Sequence, residues 1–256
     1  MQEFYFSYQG NKRKELDEIM KYVNINDYDY IIEPYGGTCS FSRHIYHLDA
    51  NKKFRICDID ENLTFFCNNF HKYDDIIIKK AKKIVNKLEN KQVYNEYIQN
   101  KPIKEDNIKD FLTYYLIYRS YYQVRPGLYP ITDRRPKYIN LEKNKEKINE
   151  FFQNVNYHHK DAFHFIDKYK NNERALIFLD PPYLTSSKGL YDRNSESMWE
   201  KLYNFMDTCQ CKFILVVDNN FFMKMSFKKW YKTSYSKKYN NKHTTTVHNI
   251  FSNIEL

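Results

Sequence analysis

Glycine is scarce, five residues in 256, and neither a G-x-G-x-x-G dinucleotide fingerprint nor a G-x-x-x-x-G-K-[ST] phosphate loop occurs. Cysteine is sparse as well. Five scattered residues are too few for a disulfide framework, which points to a reducing compartment. Cys209 and Cys211 are separated by one residue, which is not a zinc-knuckle spacing, and no Cys/His pair accompanies them, so no metal is expected. No apolar run reaches membrane-spanning length, and the polar N-terminal stretch lacks a signal-peptide core. The expectation is a soluble intracellular protein of the cytoplasm or nucleoid, or of a host cell if the chain is viral.

What is abundant is tyrosine (25), phenylalanine (19) and positive charge, a net +9. An excess of that size suits a polyanionic partner. The competing explanation is compositional: Lys, Asn, Ile and Tyr rise together when codons are AT-rich. At this length the chain is one large domain or a domain with an insert, with enough residues for a sizeable core.

Hydrophobic patterning divides the chain. A helix is read over Lys14–Tyr22, a strand at Tyr30-Ile31-Ile32-Glu33, and a helix from Phe41 to Leu48. A second strand, Phe54–Asp58, and a helix at Glu61–Phe70 follow, the opening of a doubly wound sheet. Residues 73–152 read as a helical insert, with helices near 74–90, 107–122 and 142–152 and no convincing strand. The sheet resumes at Val155–His159, with a helix near 162–170, then a strand at 175–179, a helix at 195–208 and a strand at Lys212–Val217. Thr244-Thr245-Thr246-Val247 fits a final antiparallel pair.

The chemistry concentrates at strand ends. Ala175-Leu176-Ile177-Phe178-Leu179 runs directly into Asp180-Pro181-Pro182-Tyr183. Proline cannot extend the ladder, so the strand stops at the acid, and ligands of open α/β sheets bind beyond the carboxyl ends of strands. A carboxylate, a proline-fixed carbonyl and an aromatic face there can hold a planar ring bearing an exocyclic amine. The plain alternative is a strand ending in a proline turn. Gly36 and Gly37, between a strand and a helix, allow a ligand close to the backbone and helix N–H groups, or simply make a tight turn. Asp58 stands where an acid takes ribose hydroxyls, or caps a helix, a task Asp60 can perform instead. Asp161 is placed to receive an adenine amino group or to cap the helix at 162–170.

Taken in order, Ser7-Tyr8-Gln9-Gly10-Asn11-Lys12, Glu33-Pro34-Tyr35-Gly36-Gly37-Thr38-Cys39-Ser40, Asp58, Asp161 and Asp180-Pro181-Pro182-Tyr183 resemble the Dam-type (D12 class, α-group) DNA adenine-N6 methyltransferases. The resemblance covers nearly the whole chain. It implies an α/β, Rossmann-like S-adenosylmethionine-dependent methyltransferase sheet, with 1–72 and 153–256 as catalytic domain and 73–152 as helical DNA-recognition insert. It implies a cofactor pocket of Tyr8, Gly10, Lys12, Glu33, Pro34, Tyr35, Gly36, Gly37, Asp58, Ile59, Asp161, Ala162 and Asp180. Asp180, Pro181, Pro182 and Tyr183 would receive a flipped adenine, with methyl transfer to N6 needing neither metal nor covalent intermediate.

The insert would read double-stranded DNA, with Arg119, Arg125, Arg134 and Arg135 as phosphate or guanine contacts and Tyr121 or Tyr122 as a wedge. The plain readings are solvated arginines and core aromatics. Two departures from the family pattern stand out: Cys39 where a second glycine is usual, and Tyr118–Gly127 in place of an Asn-Arg-x-x-Phe-Asn-Gly-type run. The first bears on cofactor affinity, the second on the target sequence. The rivals are cytosine-N4 or RNA adenine-N6 methylation, and a non-catalytic nucleic-acid-binding protein on the same scaffold. A monomer or weak dimer is expected.

Overall fold

The computed structural model describes residues 4–6, 8, 12, 15–121, 136, 138–182, 195–238 and 245–255. In chain order they form α1 (Leu16–Ile19), β1 (Tyr30–Glu33), α2 (Ser40–Leu48) and β2 (Lys53–Asp58). Next come α3 (Glu61–Phe70), α4 (Asp74–Val85), α5 (Lys91–Gln99), α6 (Ile108–Ser120), α7 (Ile139–Asn154) and β3 (Tyr157–His159). The chain continues through α8 (Ala162–Tyr169), β4 (Ala175–Leu179), α9 (Ser195–Thr208) and β5 (Lys212–Asp218). It ends in α10 (Phe221–Ser226), β6 (Tyr231–Lys238) and β7 (Thr245–Ser252). Two compact units result: Met1–Asn11 with Asp60–His159, and Lys12–Ile59 with Lys160–Leu256.

The second unit is the sheet. Its described strands run in the order β2-β1-β4-β5-β7-β6. β2, β1, β4 and β5 are parallel, while β7 is antiparallel to β5 and β6 to β7. All five residues of β4 are buried, as expected of a strand covered on both faces. Side chains alternate across the pleat. Ala175, Ile177 and Leu179 therefore join Phe213, Leu215 and Val217 in one core with Phe165 and Ile166 of α8 and Leu202 and Phe205 of α9. On the other face Phe178 stacks on Phe41 of α2, ring centroids 4.4 Å apart and 11° from parallel. Helices thus cover both faces, which leaves the carboxyl edge of the parallel strands as the place where polar side chains gather.

Among its described residues the first unit holds the helices α3 to α7 and one strand, β3. The N-terminal aromatics fill it: Tyr5 packs on Phe70, centroids 4.6 Å apart, and its hydroxyl donates to Asn149 Oδ1 at 2.9 Å. Lys145 of α7 bridges to Asp74 and Asp75 of α4, at 2.7 and 2.5 Å. Helix α5 falls in a stretch that the hydrophobic pattern does not mark. Asn90 caps it, its side chain accepting from Val93 N at 3.1 Å, and Tyr94 is its one fully buried side chain.

Candidate active site

Strand register brings the acids of three strand ends to one edge. Ile32 of β1 lies opposite Ile177 of β4, so Asp180 follows shortly beyond the level of Glu33. Glu33 lies opposite Ile56 of β2, and Asp58 stands two residues further. The Gly36–Gly37 bend leaves β1 on the same side.

Glu33 is buried, and its Oε2 accepts from the backbone N–H of Ser42 in α2 at 2.9 Å. Burial pushes its pKa up to about 7; hydrogen bonds from Ser42 and Phe41 oppose the rise, and the Asp180 carboxylate adds to it. The turn beyond is tight. Gly36 N donates to Cys57 O at 2.9 Å and Cys39 N to Gly36 O at 2.6 Å. Gly37 takes φ +49°, and its N–H donates to Asp58 Oδ2 at 2.9 Å.

Cys39, at the position where a glycine is usual, adopts the left-handed conformation a glycine would, φ +53° and ψ +37°. The strain is about 1–2 kcal/mol for a residue with a Cβ. Its side chain is fully buried, so the thiol is turned into the protein and not toward solvent. Arg43, also buried, braces the same turn by donating from Nε to Thr38 O at 3.0 Å. Nothing in the local pattern marks Arg43 or Ser42 as site residues; their proximity in sequence to the glycine turn is the only signal.

Asp60, not Asp58, caps α3, accepting from Leu63 N at 3.0 Å. Asp58 is thereby left to the glycine turn, and the neighbouring Ile59 is exposed. Asp161 does cap its helix: Oδ1 accepts from Phe163 N at 2.8 Å, with Ala162 buried behind it. Its second oxygen takes no part in that bond. Tyr35 lies close by. Burial raises its phenol well above the ordinary value, Asp161 and Cys57 adding to the effect, and its Oη is buried with no hydrogen-bond partner among the described residues.

Lys12 supplies the contact that completes the edge. The lysine is 1% exposed, and its Nζ lies 2.5 Å from both carboxylate oxygens of Asp180, itself 18% exposed. An ammonium that deep requires a counter-charge. Glu15 N, just ahead of α1, donates to Lys12 O at 2.9 Å. Pro181 is buried and Pro182 half-buried directly after it.

The remaining candidates divide. Arg119 on α6 is buried, with its guanidinium over Tyr8 (4.9 Å), Phe6 (5.3 Å) and Tyr115 (5.9 Å). Tyr121 is buried too, its ring 4.6 Å from that of Tyr94. Both belong to the aromatic interior of the helical unit. Gly10, Tyr122, Arg125, Arg134, Arg135 and Tyr183 lie outside the described residues.

A doubly wound parallel sheet with an antiparallel end, a glycine turn after its first strand and Asp-Pro-Pro at the end of the adjacent one defines an amino-methyltransferase. The sequence pattern of the D12 class N6 adenine-specific DNA methyltransferases matches residues 8–247, and the chain belongs to that family. A search of curated proteins returns no match. The chain is accordingly a site-specific DNA methyltransferase acting on N6 of adenine, with DNA as its substrate. No helix among the described residues is long and apolar enough to cross a membrane.

Proposed function

We propose that the methyl donor is S-adenosylmethionine, held along the carboxyl edge of β1 and β2, and that Asp180 receives the adenine amine there. The fit is supported by three features. The Gly36–Gly37 bend is a cradle that a Cβ at Gly37 would crowd, the Asp58 and Asp161 carboxylates suit ribose hydroxyls and an amino group, and the buried Tyr35 hydroxyl lacks a partner among the described residues. S-adenosylmethionine supplies an electrophilic methyl group on a sulfonium.

The chain's own residues do the rest. Asp180 and the Pro181 carbonyl accept the two N–H bonds of the adenine amine, which directs the nitrogen lone pair away from them, and Tyr183 stacks on the base. Lys12 fixes the carboxylate by binding both oxygens, and it offsets the negative charge of Asp180 beside Glu33. Catalysis then rests on orientation and preorganised polarity. The adenine must leave the duplex to reach this edge. Residues 73–152 act as the recognition region for double-stranded DNA, with Tyr122, Arg125, Arg134 and Arg135 contacting it and Arg119 holding Tyr8 in place. The protein works as a monomer or weak dimer inside the cell.

The bidentate Lys12–Asp180 pair beside the glycine bend carries this reading. Mass spectrometry of nucleosides from unmethylated duplex DNA treated with enzyme and S-adenosylmethionine tests it. Wild type should yield N6-methyladenine. Asp180→Asn, which keeps the shape, and Asp180→Ala should each lower kcat by about 100-fold or more while DNA binding persists. Near-normal turnover in Asp180→Asn would overturn the role assigned to the carboxylate.

A further inference from the structure

Helix α10 is seated firmly and yet exposes its largest apolar side chains. Met223, Phe227 and Trp230 are buried in the core between α9 and the sheet, Phe227 lying 5.9 Å from Phe251 and 6.2 Å from Trp199. Phe221, Phe222 and Met225 point the other way, 71, 74 and 62% exposed. The two phenylalanine rings meet edge to face, 6.0 Å apart. Asn220 fixes the start of the helix by accepting from Phe222 N at 2.8 Å. Two adjacent phenylalanines held in water on an anchored helix form a contact surface, and the core does not need them.

Charge and position identify the occupant. Residues 219–254 contain seven lysines and no Asp or Glu, although the whole chain has 32 acids and a net charge of +9. Lys228 is exposed within this stretch, while Lys229 pairs with Asp207 and Lys224 lies over the Tyr231 ring at 5.2 Å. Such a surface repels a second copy of itself and attracts a polyanion. It also lies on the working edge of the sheet. Leu179 is level with Leu215, so Asp180 stands beside Val216 and Asp218 ends β5 two residues on. Neighbouring strands are about 4.8 Å apart and each residue rises about 3.3 Å, which sets Asp218 about 8 Å from Asp180. Phe221, three residues further at about 3.8 Å each, is within about 20 Å, less than the ~34 Å of one turn of duplex DNA.

We infer that Phe221 and Phe222, with Met225 on the same helix and Lys224 and Lys228 close to them in the chain, form a second DNA-contact site that stacks on bases unpaired when the target adenine is extruded. This rests on the reading that DNA is opened over Asp180. Rings stack on any base face, so the site serves affinity for opened DNA and adds no sequence preference.

The test uses the full chain with Phe221→Ala and Phe222→Ala combined, and with Phe221→Trp and Phe222→Trp combined. Fluorescence anisotropy measures binding to two labelled mixed-sequence duplexes, one fully paired and one with a single looped-out adenine. Loss of about tenfold in affinity for the looped-out duplex in the alanine pair is expected, together with a smaller loss on the paired duplex. The tryptophan pair should retain binding, and the melting temperature should stay unchanged because both rings are outside the core. Equal affinity of wild type and the alanine pair for the looped-out duplex overturns the proposal. So does a fall in self-association by light scattering with DNA binding intact, which would give the surface to a second copy. N6-methyladenine formation by wild type is scored separately, so failure of the active-site reading is told apart from failure of this one.

Discussion

At the scale of single residues, Glu33 shows how the site holds unfavourable charge. A carboxyl fully removed from water loses its proton reluctantly, and here the Asp180 carboxylate adds to that reluctance. Its pKa is about 7 in the folded chain against 4.5 ordinarily. Between those values the folded protein holds a proton that the unfolded chain has released. Stability from this group is therefore highest below about pH 4.5, falls as pH rises to about 7, and is level above, by linkage. The full effect is about 3 kcal/mol. Glu33→Gln carries no such titration. In urea unfolding, the variant should gain stability relative to wild type between pH 5 and pH 8; the same difference at both pH values would refute the assignment. Cys39 makes a related point about reading sequence. Its departure from the glycine pattern is visible in the letters, but the left-handed backbone and buried thiol that accommodate it are visible only in the fold.

At the scale of elements, legibility follows the source of stability. β4 is legible with its observed bounds, because five consecutive apolar residues and a proline stop leave no competing pattern. β1, α3 and α9 are legible with equal fidelity, and β5 runs one residue further than its pattern. α5 and α10 escape the hydrophobic pattern for one physical reason: short helices with few buried side chains depend on a cap and on neighbours more than on an apolar stripe. Asn90 and Asn220, each accepting from the N–H two or three residues ahead, are the signals their sequences do offer. The ends of β1, β2 and β4 are legible as places where acids gather, whereas the Lys12–Asp180 pair spans 168 residues and belongs to topology. On the proposed reading, Asp161 serves two demands, the cap of α8 and the methyl donor. Asparagine caps as well as aspartate, but its amide oxygen would be taken by Phe163 N, leaving an NH2 group toward the ligand. Asp161→Asn should hold the melting temperature within about 2 °C yet weaken S-adenosylmethionine binding about tenfold. Asp161→Ala should lose both, with about 1 kcal/mol from the cap. Calorimetry and thermal denaturation check the pair of variants, and wild-type cofactor affinity in Asp161→Asn would reduce the residue to a cap.

For the whole molecule, the question raised by composition is whether the net +9 serves a polyanion or only reflects lysine-rich coding. Uniform bias would scatter lysines and acids alike. In the helical unit they are indeed mixed: Lys82 meets Glu142, Lys104 meets Glu61, and Lys145 meets Asp74 and Asp75. Residues 219–254 have no acid of their own, although Lys229 meets Asp207, and that favours the polyanion explanation for this stretch. The consequence is measurable as counterion release. If six or more phosphates are neutralised, affinity for duplex DNA should fall by about 10³ or more between 50 and 200 mM salt. Replacing Lys228, Lys232, Lys237 and Lys238 with glutamine should make the slope of log K against log salt shallower by about 3–4, near 0.9 for each phosphate no longer neutralised. Replacing Lys80 and Lys82 of α4 with glutamine should change the slope much less per substitution, because these two are already matched by Asp110 and Glu142. Equal changes per substitution in the two sets of variants would return the excess charge to composition alone.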